Sequence, residues 1–373
     1  MTPDADWALG LAWMSHALSR DLQRASRVAG GPQHLWRGSA SQMASWLRCG
    51  ADDAARAIRA RDAFRGADAR DALARRGITH VPITSGAYPS RLRAIFDPPF
   101  GLFGTGAMAN VLAELASSPV VAVVGSRRPT GAGRRLARDL SGALAARGAV
   151  VVSGLARGID GAAHEGALDA GGTTIAVLGS AVDRVHPRRH VPLADRITRD
   201  GAVVSEYWPG TDALPWRFPA RNRIVAGLAD AVVVVEAASR SGALITADFA
   251  MENGTPVLAV PGWPGSEMAA GCNALLRAGA ALCEGVDDVV AEVPHRAWRQ
   301  AQAPASASGP AAAVLAVVAR EPATVDAIAA AGGLAHADVA VALAALELDG
   351  LVAREPGGVF RAVSGRRGRA DGG

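Results

Sequence analysis

The sequence predicts an α/β protein: a doubly wound parallel sheet, with a small helical domain ahead of it and a winged-helix-like domain behind. Three observations carry this. Between residues 120 and 260, short Val-rich runs alternate with helical segments, the pattern of parallel strands buried on both faces. Ahead of them, apolar residues recur at helical spacing, as at Trp7, Leu11, Met14 and Leu18. Behind them, residues 311–363 read as helical runs followed by a short hairpin.

Taken in order, helices are expected over 7–28, 40–48, 53–60 and 67–76, with Asp52 capping the third. Together they form a SAM-like or helix–hairpin–helix-like domain over 1–80. Pro82, Pro89, Pro98, Pro99 and the Gly-rich stretch 100–106 read as an extended connector. The central domain covers 81–295. Its strands are expected at 120–124, 149–153, 174–178, 202–205, 231–236 and 256–260, with helices at 133–147, 161–170, 190–199, 220–228, 243–253 and 273–278. Residues 296–310 are rich in Ala, Ser and Pro and read as a linker. Helices at 311–319, 324–331 and 336–349 and strands at 351–354 and 358–363 complete the winged-helix-like domain. A basic, flexible tail is expected over 364–373.

Composition narrows the function. Half of the 373 residues are hydrophobic and a fifth are charged, a globular composition. The longest unbroken apolar run, 311–319, falls well short of the roughly 20 residues a membrane helix needs. The first residues hold two Asp and no basic cluster, so no signal peptide is expected. Cys49, Cys272 and Cys283 are odd in number and form no C-x-x-C pair, which fits reduced thiols in a cytoplasm and no metal site. All 39 basic residues are Arg. A Walker A loop and Schiff-base chemistry both require a lysine, and both are excluded. The charge is uneven: residues 1–80 carry 12 Arg and 8 acidic residues, whereas 81–295 carry 19 and 20.

Ligands of an open parallel sheet bind beyond the carboxyl ends of its strands, so the residues after each strand are the candidates. The first strand is followed by Gly125, Ser126, Arg127 and Arg128, with Gly133 opening a helix whose N-terminal amides would attract an anion. The spacing of Gly131 and Gly133 does not make a dinucleotide fingerprint, because Leu136 stands at the third glycine position. The second strand is followed by Ser153, Gly154, Arg157 and Gly158. Asp160 and His164, four apart, read as an N-cap and a packed histidine rather than an acid–base pair. The third strand leads to His186, Arg188, Arg189 and His190, where Pro187 and Pro192 speak against a helical metal site. After the fourth, Trp216, Arg217, Phe218, Arg221, Asn222 and Arg223 interleave rings with guanidinium groups, as a stacked single strand requires. Arg240, Ser241, Gly242 and Thr246 follow the fifth strand, and Trp263, Gly271 and Asn273 lie beyond the sixth. Several such loops converging on one edge make a polyanion site.

These residues resemble the DNA-processing protein A family (DprA, also called Smf). The matching stretches are Gly125-Ser-Arg127, Ser153-Gly-Leu-Ala-Arg-Gly-Ile-Asp160 with Ala163-His164, and Ser205-Glu206. They continue through Phe218-Pro-Ala-Arg-Asn-Arg-Ile224, Val235-Glu-Ala237, Ser241-Gly-Ala-Leu-Ile-Thr246, Ala259-Val-Pro-Gly262 and Gly271-Cys-Asn273. Tyr88-Pro89, Leu92, Asp97-Pro-Pro99 and Leu102-Phe103 match the family's lead-in. The resemblance implies an extended Rossmann-like domain that binds single-stranded DNA without cutting it. It also implies delivery of that DNA to the RecA recombinase during natural transformation, action as a homodimer, and no catalytic residue, metal or cofactor. Arg127 would be the family's strand-binding arginine, with Arg157, Arg188, Arg221 and Arg223 completing a basic pocket. The chain departs from the family pattern at Val185-His186-Pro187, at Ala243 and over 263–270.

The alternative is a nucleotide-processing enzyme resembling the lysine-decarboxylase-like phosphoribohydrolases. The nearest stretch to their loop, Pro261-Gly-Trp-Pro-Gly265, lacks the Thr and Glu. Glu236 is the one carboxylate that could act there, and it reads as a paired strand-end residue. In the winged-helix-like domain, the helix over 336–349 contains no Arg and carries Asp338, Glu347 and Asp349. It is therefore expected to contact protein rather than to read duplex DNA. Leu275 and Leu276 are candidates for the dimer surface, and Arg366, Arg367 and Arg369 for extra non-specific affinity.

Overall fold

The computed structural model describes residues 6–299, 309–348 and 351–362. Six helices come first: α1 (Trp7–Leu18), α2 (Gln23–Val28), α3 (Pro32–Arg37), α4 (Ala40–Leu47), α5 (Ala51–Ala63) and α6 (Gly66–Arg75). The single helix expected over 7–28 is two, because Ser19 takes a left-handed φ of 50° and ends α1. Pro32 in the first turn starts α3, which the sequence pattern did not reveal. Ser39 and Gln42 form a capping box on α4. Gly50, not Asp52, precedes α5; Asp52 and Asp53 lie in its first turn, where negative charge suits the helix dipole.

The central domain runs β1 (Thr79–Pro82), α7 (Ser90–Ala94), β2 (Gly101–Gly106), α8 (Met108–Glu114), β3 (Val120–Val124), α9 (Gly131–Ala146), β4 (Val150–Ser153), α10 (Ile159–Asp169), β5 (Thr174–Val177), α11 (Val191–Asp200), β6 (Ala202–Ser205), α12 (Arg217–Leu228), β7 (Ala231–Val234), α13 (Gly242–Glu252), β8 (Val257–Ala259), α14 (Ala270–Arg277), β9 (Ala281–Leu282) and α15 (Val286–Glu292). The nine strands are ordered β1-β2-β6-β5-β4-β3-β7-β8-β9. From β6 to β9 all neighbours are parallel. Alternation along β3 shows the double winding: Val120, Ala122 and Val124 enter one core and Val121 and Val123 the other.

The expected connector over 82–106 is instead part of the sheet. β1 pairs antiparallel with β2, and β2 antiparallel with β6. The glycines that mask this strand in the sequence are there for packing: a Cβ on Gly101 would lie 2.3 Å from His80, and one on Gly104 2.1 Å from Met108. The sheet thus begins at Thr79, just inside the expected helical domain, and the helices dock directly on it. Leu9 and Ala12 share a core with Phe103, Leu178 and Val203. Trp13 meets Trp208 edge-on at 5.3 Å, and Trp208 meets Phe103 at 5.6 Å.

At the amino-terminal ends of β3 and β7, the fully buried Asp230 carboxylate accepts from Val120 N at 2.9 Å and pairs with Arg91 and Arg296, each at 3.0 Å. Arg296 also donates to Ala116 O, and Trp298 packs on the core. Residues 296–299 therefore belong to the domain rather than to the expected linker; 300–308 lie outside the described residues, as does the tail. Leu275 is buried in the core, and Leu276 is half-buried and packs against it. The last unit is α16 (Pro310–Val318), β10 (Ala323–Thr324), α17 (Val325–Gly332), α18 (His336–Leu348), β11 (Val352–Glu355) and β12 (Val359–Ala362), with Val314, Ile328, Val339 and Phe360 in its core. Among the described residues no single helix is long and apolar enough to cross a membrane.

Candidate nucleic-acid interface

Strand order places the switch point at β3, with β4 on one side and β7 on the other. The loops leaving β5, β4, β3 and β7 stand side by side there. With about 4.8 Å between strands, their roots span about 14 Å. They are locked to one another. Ser126 N donates to Glu236 O at 2.6 Å, Ile159 N to Ser126 O at 3.2 Å, and His190 Nδ1 contacts Leu155 O at 2.9 Å. Gly158 takes a φ of 82°, and a Cβ there would lie 2.3 Å from Ser126 O. Gly125 is equally confined, by Ile159 and Glu236 O.

This locked row presents cations. Arg127 and Arg128 (after β3), Arg157 (after β4), Arg188 and Arg189 (after β5) and Arg240 (after β7) are all exposed. None of them has an ion-pair or hydrogen-bond partner for its guanidinium among the described residues. The Arg127 guanidinium lies 5.3 Å over the Phe218 ring, and His186 packs on the same ring at 5.5 Å. Trp216 is half exposed, and the buried Arg217 lies 5.0 Å over its ring and 4.9 Å over that of Tyr207. Arg189 and Arg240 were part of the sequence pattern without being singled out as site residues; their exposure is what marks them.

Several of the other expected site residues are engaged within the fold. Arg221 is 3% exposed and lies beneath the row, donating to Gly154 O and Val177 O. Burial lowers its pKa to about 10 against the attraction of Asp160. Burial likewise raises the Asp160 carboxyl, opposed by Arg221 and by the amides of Ala156 and Gly154. Arg223 is 6% exposed and holds Glu206 through two 2.7 Å hydrogen bonds, with Asp97 O at 2.8 Å. Neither guanidinium faces a strand, because the carboxylates and carbonyls that claim them come from distant loops. Ser153 is fully buried and donates to Val123 O at 2.7 Å; Gly154 and Thr246 are buried. Ser126 accepts from Arg128 N at 3.0 Å and so shapes the turn that presents the two arginines. Asn222 ties α12 to Gly242 O, Ser241 caps α13, and Asn273 pairs with both backbone groups of Gly262.

The N-terminus of α9, expected to attract an anion, already holds one. The Glu236 carboxylate accepts from Thr130 N at 2.8 Å and Thr130 Oγ1 at 2.6 Å, directly over Gly133. His164 is fully buried, bonded to Thr174 through Nδ1, and desolvation drives its pKa down to about 3. It is a neutral core histidine. Among the described residues no group of three or more His, Cys, Asp or Glu could hold a metal.

Comparison with known proteins agrees with this architecture. The DNA recombination-mediator protein A family model matches residues 79–294, and the DprA winged helix domain matches 299–358. The chain is 38% identical to the protein Smf of Escherichia coli over 75% of this chain and 76% of that one. It is 39% identical to the DNA processing protein DprA of Bacillus subtilis over 59% of this chain and 73% of that one. The X-ray structure of DprA from Streptococcus pneumoniae superposes with a TM-score of 0.64 at 34% identity, covering 79% of this chain and 98% of that chain. A structure of the Helicobacter pylori protein, described for its single-stranded DNA binding mode, gives 0.52 at 28% identity over 58% of this chain and 96% of that chain. With matches in order from the first sheet strand through the winged helix, the chain belongs to the DNA recombination-mediator protein A family, and its function lies in DNA processing and recombination.

Proposed function

We propose that this protein binds single-stranded DNA, without sequence preference, along the row of Arg188, Arg189, Arg157, Arg127, Arg128 and Arg240. One observation carries the reading: exposed guanidinium groups without carboxylate partners stand on adjacent, mutually locked loops at one sheet edge. Guanidinium groups grip phosphates, and the Phe218 and Trp216 rings offer base-stacking faces. The Helicobacter pylori relative's single-stranded DNA binding supports the same reading. Delivery of the strand to RecA, assembly as a homodimer and a cytoplasmic location belong to the proposal and rest on the family resemblance. The protein acts by binding, not by catalysis. Glu236 is held by Thr130, and His164 is sealed in the core, so neither offers a free acid or base to a nucleotide.

The test is the affinity for oligo-dT against salt. Each phosphate contacted contributes about −0.7 to the log–log slope, so four contacts predict about −3. A flat response refutes the proposal. Free base released from nucleoside monophosphates would instead favour the phosphoribohydrolase reading. A gel-shift series with and without RecA tests the delivery step.

A further inference from the structure

Beyond that row, and resting on the reading of it as a strand track, we propose that Trp263 stacks on a base at the β8 end of the track. Trp263 is 82% exposed on the loop that follows β8. No ring, cation or carboxylate of the described residues engages its side chain. β8 is next to β7 and second from β3, so this loop stands about 10 Å along the edge from the Arg127 loop.

The loop is rigid and bound to the arginine row. Both backbone groups of Gly262 pair with the Asn273 side chain, at 3.2 and 3.0 Å. Ser266 N donates to Trp263 O at 3.0 Å, closing the turn. Met268 then contacts Ser126 Oγ through its sulfur at 3.7 Å, and its carbonyl accepts from Ala237 N at 2.9 Å. With the backbone held in place before binding, only the rotation of the indole itself is lost on contact.

Charge selects a base over a phosphate here. No arginine occurs between Arg240 and Arg277, and the nearest ionised side chain of the loop is the exposed Glu267. The loop itself offers a phosphate no cation, whereas the flat face of a base gains from the indole. The arginines thus hold the backbone while Trp263 engages the nucleotide beyond them.

The experiment compares full-length Trp263→Ala and Trp263→Phe with the unmodified protein. Fluorescence anisotropy is read with labelled oligo-dT and with an abasic oligonucleotide of the same length. Trp263→Ala is expected to weaken oligo-dT binding about fivefold or more, with an unchanged salt slope and unchanged abasic binding; Trp263→Phe retains most of the affinity. Equal affinity of Trp263→Ala and the unmodified chain for oligo-dT overturns the proposal. So does an equal loss on the abasic strand, or a change of mass in sedimentation showing that the ring joins two copies. Absence of salt-dependent binding by the unmodified chain overturns the strand track itself, a result distinct from any effect of Trp263.

Discussion

Arg223→Ala separates a fold residue from a strand contact. In the structure its guanidinium makes two 2.7 Å bonds to Glu206, one 2.8 Å bond to Asp97 O and one 3.0 Å bond to Ala220 O. The pair is nearly enclosed, with side chains 7% and 12% exposed. Removing one partner of such a buried pair costs about 3–5 kcal/mol, because the remaining carboxylate loses its counter-charge without regaining water. For a domain of this size 1 kcal/mol corresponds to about 2–4 °C, so the melting temperature is expected to fall by about 6–20 °C. Oligo-dT affinity measured well below the melting point is expected to stay within about twofold, since the group faces no solvent. Arg223→Met combined with Glu206→Leu should recover part of the loss, as apolar replacement of both partners often does. Thermal denaturation by circular dichroism and anisotropy on the same samples decide it. An unchanged melting temperature with a tenfold loss of affinity would refute the burial argument and return Arg223 to the strand.

Arg127→Ala should behave in the opposite way: an unchanged melting temperature, about tenfold or more lost affinity at the usual strength of a charged hydrogen bond, and a salt slope shallower by about 0.7 in isothermal titrations at several salt concentrations. Glu236→Ala leaves the α9 N-terminus and Thr130 without their acceptor and should cost about 1–3 kcal/mol in urea unfolding; if the freed site also gained affinity for inorganic phosphate, that would confirm that the carboxylate occupies an anion position. Acid should destabilise the protein. Desolvation holds His164 at about 3 and His80 at about 4, below the ordinary 6.5. Between those values and 6.5 the unfolded chain binds the extra protons, so each histidine removes up to about 1.4 kcal/mol per pH unit as pH falls. Urea midpoints at pH 7 and 5.5 check this, and His164→Gln should flatten the dependence.

Much of the architecture was legible because it is local. Val runs, helix starts and the glycines after each strand gave the parallel sheet, its double winding and the loops at its edge. Arg127, Arg128, Arg157 and Arg188 stood out because they sit in those loops, and the structure leaves them exposed. β1 and β2 were hidden, since proline and glycine break the alternation of a strand whose neighbours demand missing side chains.

What a sequence determines by itself here is which segments fold into which elements, and which residues the short loops carry, because periodicity and turn chemistry act over a few residues. Whether an arginine meets a strand or a carboxylate was decided only by tertiary structure. Arg221 and Arg223 share a helix and a motif with solvent-facing neighbours, yet Gly154, Val177, Glu206 and Asp97 reach them from remote parts of the chain. The same is true of Glu236 at the start of α9. A charge is claimed by whatever stands nearest in space, and distance in space is fixed by the packing of the whole sheet.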